Sequence, residues 1–173
     1  MTKTEENLKK AFAGESQARN KYDYFAKVAR KEGFHYIAKI FEETALNEAQ
    51  HAKDEFKLLK GIRSTAENLK TAIDGEHYEN TEMYPQMQKD AEEEGNQEAA
   101  KLFKEISEVE KSHEARYKKL LEMVEKGTVW KREKPIRWKC SKCGYVYEGT
   151  EPPEICPSCK HPKEYYEPEC MYF

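Results

Sequence analysis

No stretch of this 173-residue chain stays apolar for long. A membrane-spanning helix needs roughly 20 such residues, so no membrane partner is expected. The opening residues, Met1 to Lys10, are charged throughout and lack the apolar segment of a secretory signal. Basic blocks are missing as well. The formal net charge is −3, and nothing resembles the electrostatic footprint of a nucleic-acid binder. A Gly-x-Gly-x-x-Gly fingerprint is absent, so the chain itself is not expected to bind a nicotinamide dinucleotide. Helix breakers are scarce over most of the length: Pro85 is the one proline between Thr4 and Gly127, whereas six follow from Pro135 onward. These absences leave a cytoplasmic, soluble protein with a long helical part and a short loop-rich part.

Charge and helix formers fill the space. Charged residues make up 36% of the chain and the mean hydropathy is −1.04. Lys, Glu and Ala dominate the first three quarters, the composition of long solvated helices. Four helices are expected. The first runs from about Thr4 to Lys31, before Gly33, and the second from about His35 to Lys60, with Gly61 as its stop. The third starts after the N-cap candidates Ser64 and Thr65, is bent by Pro85, and reaches Glu94. The fourth runs from about Asn96 to Lys126, ended by Gly127. Short connections predict antiparallel neighbours. The expected division is a four-helix bundle over residues 1–133 and a small domain over 134–173.

The helices repeat. Phe41, Glu43, Glu48, His51, Leu58 and Leu59 return 62 positions later as Phe103, Glu105, Glu110, His113, Leu120 and Leu121. Ala11, Gly14 and Glu15 return as Ala72, Gly75 and Glu76, at an offset of 61. Two related helical hairpins account for both.

Each helix carries an apolar stripe at helical spacing, and each stripe is interrupted by ionisable groups. Glu15 lies among Leu8, Phe12, Ala18, Tyr22, Phe25 and Ala29. Glu48 and His51 lie among Ile37, Phe41, Thr44 and Leu58. Glu76 and Glu79 lie among Leu69, Ala72 and Met83; Glu110 and His113 lie among Leu102, Ile106, Tyr117 and Leu120. Burying an unpaired carboxylate costs several kcal/mol, so five in one core demand positive charge. Two divalent metals nearly cancel five carboxylates. Positions i and i+3 share a helix face, which lets Glu48 with His51, and Glu110 with His113, reach one metal pair. Mixed oxygen and imidazole donors suit iron or manganese better than magnesium or calcium. A lone Glu-x-x-His on so charged a helix is ordinarily solvated surface. Two of them at repeat-related positions, with stripe glutamates on the other two helices, favour metal. His35 and His77 have no such company and read as surface or locally hydrogen-bonded residues.

Five cysteines in a reducing compartment point to metal rather than disulfides. Cys140-Ser-Lys-Cys143 and Cys156-Pro-Ser-Cys159 are two Cys-x-x-Cys knuckles, the spacing of a tetrahedral all-sulfur site. That spacing serves iron and zinc equally. The segment from Pro135 on is too short to hold a core alone, so metal should supply much of its folding energy. Trp138, Tyr145, Tyr147, Tyr165 and Tyr166 give it unusual aromatic cover. Cys170 reads as a spare thiol.

Taken in order, these motifs resemble the rubrerythrin family over nearly the whole chain. The match is carried by Ala13-Gly14-Glu15-Ser16-Gln17-Ala18, Glu48-x-x-His51, Gly75-Glu76-x-x-Glu79 with Met83-Tyr84-Pro85, and Glu110-x-x-His113. A rubredoxin-like ending follows: Cys140-x-x-Cys143-Gly144-Tyr145, then Cys156-Pro157-x-Cys159. Lys160 departs from the glycine that many free rubredoxins carry there, and a small change in hydrogen bonding to the sulfur is expected.

The resemblance implies an all-α, ferritin-like antiparallel four-helix bundle followed by a small metal-stabilised rubredoxin-like domain. It implies a di-iron site, open to mixed metals, and one iron in the four-cysteine site. Glu48 and Glu110 would bridge the irons, Glu15 and Glu76 would be terminal ligands, and His113 would ligate the second iron. The first iron would take Glu79 when oxidised and His51 when reduced. Tyr22 and Tyr84 match tyrosines near the cluster. The implied activity is reduction of hydrogen peroxide to water in oxidative-stress defence, fed with electrons through the four-cysteine iron. An electron-donor protein, a rubredoxin or a reductase linked to NAD(P)H, would be the partner, and a homodimer or higher homo-oligomer is expected. Ferroxidase or iron-handling activity and oxygen reduction are the alternatives.

Overall fold

The computed structural model describes residues 2–169. Helix α1 (Lys3–Lys31) opens with a capping box. Thr2 Oγ1 accepts from the Glu5 amide at 3.2 Å, and a Glu5 carboxylate oxygen accepts from the Thr2 amide at 2.8 Å. Two of the four orphan donors at the helix start are satisfied this way. Glu32, Gly33 and Phe34 then lead into α2 (His35–Leu58). The pair forms a helical hairpin and constitutes one compact unit, through Ser64.

Residues from Thr65 on form the second unit. Its helices are α3 (Thr65–Tyr78), a π turn over Glu79–Met83, α4 (Tyr84–Glu93) and α5 (Gln97–Glu125). Helix α5 packs on α3, the π turn and α4. Asn96 caps α5 by accepting from the Ala99 amide at 3.1 Å.

Three expectations need correcting. The third helix is broken by the π turn rather than bent by Pro85, which occupies the first turn of α4. Pro85 has no N–H to donate into the preceding turn, and the Asn80 carbonyl there accepts from Ser107 Oγ at 3.1 Å. The second helix ends at Leu58, and the left-handed stop is Lys60 (φ 55), not Gly61. Gly61 is needed for another reason: a Cβ there would lie 2.1 Å from the Phe56 ring. Finally, the apolar stripes are only partly covered. Alanines fill the helix seams (Ala26, Ala29, Ala38, Ala45, Ala52, Ala91 and Ala100), while Phe25, Ile37, Leu58, Leu102 and Leu120 remain exposed. A hairpin buries only the line along which its helices touch.

The small domain is an antiparallel sheet in the order β2-β1-β3, from β1 (Ile136–Cys140), β2 (Val146–Gly149) and β3 (Tyr166–Pro168). Trp138, Cys140, Cys156 and Tyr166 form its buried core, flanked by Trp130, Ile136 and Cys159. The Trp138 indole donates to the Gly149 carbonyl at 2.9 Å, and Arg132 stacks over its ring at 5.1 Å. Two of the four core side chains are thus sulfur donors. Cys170 lies outside the described residues.

Candidate metal centres

Three groups of side chains converge tightly enough to hold an ion, their donor atoms lying within 4.8 Å of one another. The first is Glu15, Glu48 and His51 in the α1–α2 hairpin. His51 Nδ1 stands 2.8 Å from a Glu48 oxygen and 3.1 Å from one of Glu15. The second is Glu76, Glu110 and His113, from α3 and α5. His113 Nδ1 lies 2.7 Å from Glu110 and 3.4 Å from Glu76. The i, i+3 spacing places each Glu-x-x-His pair on one face, and the glutamate of the facing helix completes the trio.

A hydrogen bond with Glu48 lifts the Glu15 carboxyl above its ordinary range, opposed by His51. The same bond, joined by His51, holds Glu48 below its range. The two carboxyls of this pair are thus pushed in opposite directions. Burial, then a hydrogen bond with Glu110, raises Glu76 in the same sense. His51 is raised by Glu15 and then Glu48. Carboxylates drawn this close to one another and to a histidine suit a divalent ion.

The third group is Cys140, Cys143, Cys156 and Cys159. The sulfurs of Cys140 and Cys159 are 3.7 Å apart, as are those of Cys143 and Cys156. A disulfide requires about 2.05 Å. Four sulfurs at about 2.3 Å from a central ion sit about 3.8 Å from each other, so the spacing fits a tetrahedral site. Ionisation is staggered. Burial works against the Cys156 thiolate, but the Cys159 amide and the Tyr166 hydroxyl outweigh it and bring the thiol to about 6. Cys159 is favoured by the His161 amide, yet burial and the neighbouring sulfurs push it up to about 12. Four sulfurs this close suit a cation among them. Lys160 takes the left-handed conformation (φ 63) that glycine favours, and its amide donates to the Cys156 carbonyl at 3.0 Å. The departure from glycine thus falls on backbone conformation.

Other expected residues are less tightly gathered. Glu79 stands outside the tight trio, though its charge contributes to raising Glu76 and Tyr84. Tyr84 is held above its ordinary range by burial, then by Glu79, Glu110 and Glu76, and its ring lies 6.2 Å from Phe103. Tyr22 packs with Phe25 and Phe41. His77 is exposed, as expected, and reaches Glu114 of α5 at 3.1 Å. Sequence reasoning overlooked Glu114, a buried carboxylate, and Asn80, which donates to it at 2.9 Å. Nothing marks Glu114 among the many glutamates of α5.

Comparison with known proteins agrees with this chemistry. The Rubrerythrin family model matches residues 6–121, and the model of the rubrerythrin rubredoxin-like domain matches residues 138–167. The chain is similar to rubrerythrin of Porphyromonas gingivalis, 48% identical over 96% of this chain and 90% of that one. It is 45% identical to rubrerythrin of Nitratidesulfovibrio vulgaris and to rubrerythrin-1 of Clostridium acetobutylicum, each over 96% of this chain and 94% of the relative. Among the described residues no helix is long and apolar enough to cross a membrane. The Glu/His groups are those of a di-iron site and the four cysteines those of a rubredoxin-like iron site. With carboxylate–histidine trios on two hairpins and a thiolate tetrad in a three-stranded knuckle domain, the chain belongs to the rubrerythrin family.

Proposed function

We propose that the chain is a peroxidase reducing hydrogen peroxide to water, with the trios Glu15–Glu48–His51 and Glu76–Glu110–His113 as its di-iron ligands. The observation that carries this reading is the coexistence, in one chain, of two carboxylate–histidine clusters and a separate four-thiolate site. When bound, paired ferrous ions supply one electron each and act as Lewis acids on the substrate oxygens. A thiolate-held iron passes single electrons, which a ferroxidase, fed by its substrate iron, does not need.

The residues have distinct tasks in this reading. Glu48 and Glu110, each beside a histidine of its own helix, would be shared carboxylate ligands of the metals. Glu15 and Glu76 close the two ends. His113 would ligate one iron, and Glu79 and His51 would serve the other, the hard carboxylate suiting the oxidised pair and the imidazole the reduced pair. Tyr84, kept neutral by burial and the surrounding carboxylates, holds its proton ready to donate a hydrogen bond to a ligand oxygen. Tyr22 occupies the corresponding place in the first hairpin. The domain boundary falls near 133/134, between the two matched segments. Electrons come from a separate donor protein, a rubredoxin or an NAD(P)H-linked reductase. The exposed apolar side chains Phe25, Ile37, Leu58, Leu102 and Leu120 favour a homo-oligomer.

The test is anaerobic. The reduced protein is mixed with one equivalent of hydrogen peroxide, or with oxygen, while the visible iron–thiolate band is followed. Fast return of colour with peroxide and slow return with oxygen are expected. Faster return with oxygen would replace the peroxidase by an oxygen reductase. A chain without a visible band would have no iron at the cysteines, and the proposed electron route would fail. In Glu48→Ala and Glu110→Ala the band should remain while peroxide no longer restores it.

A further inference from the structure

The carboxylate cluster is not symmetric. Glu79 has no counterpart in the first hairpin, where the position 61 residues earlier is Ala18. It is also the first residue of the π turn. A π turn is wider than an α turn and is uncommon outside functional sites, so something must hold it. The structure has side-chain donors at three carbonyls around it. Asn80 Nδ2 donates to the Glu76 carbonyl at 2.7 Å, Thr81 Oγ1 to the His77 carbonyl at 2.6 Å, and Ser107 Oγ, from α5, to the Asn80 carbonyl at 3.1 Å.

Asn80 is the centre of this set. Its amide group has two N–H donors, and both are used. The second goes to Glu114 Oε2 at 2.9 Å. Glu114 is only 8% exposed, the one buried charged side chain among the described residues. Its other oxygen receives His77 Nδ1 at 3.1 Å and Lys118 Nζ at 2.5 Å. A buried carboxylate with partners on both oxygens is a rigid anchor. It stands on α5 one residue beyond His113, while Asn80 stands one residue beyond Glu79. The Asn80 side chain therefore spans the turn from Glu76 on one side to α5 on the other, with Glu79 in between.

We infer that Asn80, anchored by Glu114, is a positioning residue that clamps the π turn and so aims Glu79 at the metal pair. The inference rests on the proposed ligand set. Neither residue touches metal or substrate. The clamp fixes the backbone, leaving the Glu79 side chain as the part free to move.

The experiment uses the full chain, loaded with iron and metal-free. Variants are Asn80→Ala, Glu114→Ala and Glu114→Gln; glutamine keeps an acceptor for the Asn80 amide but loses the charge. Hydrogen–deuterium exchange is read over residues 76–84, with residues 97–110 as internal reference, and the di-iron centre is read by Mössbauer spectroscopy. In Asn80→Ala and Glu114→Ala, exchange over 76–84 should rise at least tenfold relative to the reference, with an altered signal from one of the two irons. Glu114→Gln should restore both. The four-cysteine iron signal should not change in any variant. Unaltered exchange and unaltered iron signals in Asn80→Ala would overturn the inference, as would Glu114→Gln behaving like Glu114→Ala. If Glu114→Ala does not fold, Asn80→Ala, which leaves the His77 and Lys118 pairs intact, decides alone. A wild-type chain without iron in the helices would sink the proposed ligand set instead, and the exchange of the metal-free chain would still test the clamp.

Discussion

Single residues decide how far each site departs from an ordinary surface. Lys160 is an instance. Its backbone is left-handed directly after a cysteine of the knuckle, a conformation that costs an L-residue roughly 1–2 kcal/mol. The side chain recovers part of this by donating from Nζ to the Pro157 carbonyl at 2.9 Å. Lys160→Gly should raise the stability of the metal-loaded domain by up to roughly 1 kcal/mol, read from the thermal loss of the visible band. A lower midpoint would mean that the bond to Pro157 outweighs the backbone strain. The tetrad itself was legible from spacing, because Cys-x-x-Cys fixes two sulfurs whatever surrounds them. Glu114 was not legible: Lys118 is its i+4 neighbour on α5, but its burial depends on His77 and Asn80 arriving from the facing helix, and no local pattern announces that.

At the level of elements, local signals located helix ends well and helix interiors less well. The first helix and the last were placed within a residue or two, since Thr2, Asn96 and the neighbouring breakers act locally. Gly61 was read as a helix stop, but its role is to let the chain pass against Phe56. That ring stacks on Phe12 at 4.8 Å and 14°, linking α1 to α2. Gly61→Ala should force the ring out of the stack and cost about 1–3 kcal/mol, measured by denaturant unfolding. A change below about 0.5 kcal/mol would mean that the ring has room to turn. The π turn escaped notice because Pro85, a few residues on, already offered a reason for irregularity. Proline effects follow from one residue, whereas a π turn is held by bonds from α5.

For the molecule as a whole, two kinds of stability coexist. The helices rest on alanine seams, caps and charge pairs, whereas the small domain has a core half made of metal donors. Removing iron with a strong chelator under reducing conditions should unfold residues 134–169 and leave helical circular dichroism largely intact. A single transition shared by both parts would mean that they unfold together. The fold class was legible from composition and period, and the order of motifs identified the family. The uncovered apolar side chains were not, since a sequence stripe says what wants burial and not whether one chain supplies the cover. The π turn also explains why the two halves of the repeat keep different counts. Matching residues are 61 apart up to Glu76 and 62 apart from Phe103 on. The connections 32–34 and 94–96 are equally long, while Glu15 to Lys31 is one residue shorter than Glu76 to Glu93. The surplus residue lies inside the helix, where the π turn is the irregularity that absorbs it. The extra carboxylate of the second half thus stands in the stretch that is one residue longer, and any relative without the wide turn should align to this chain only across a single-residue gap between Glu76 and Glu93.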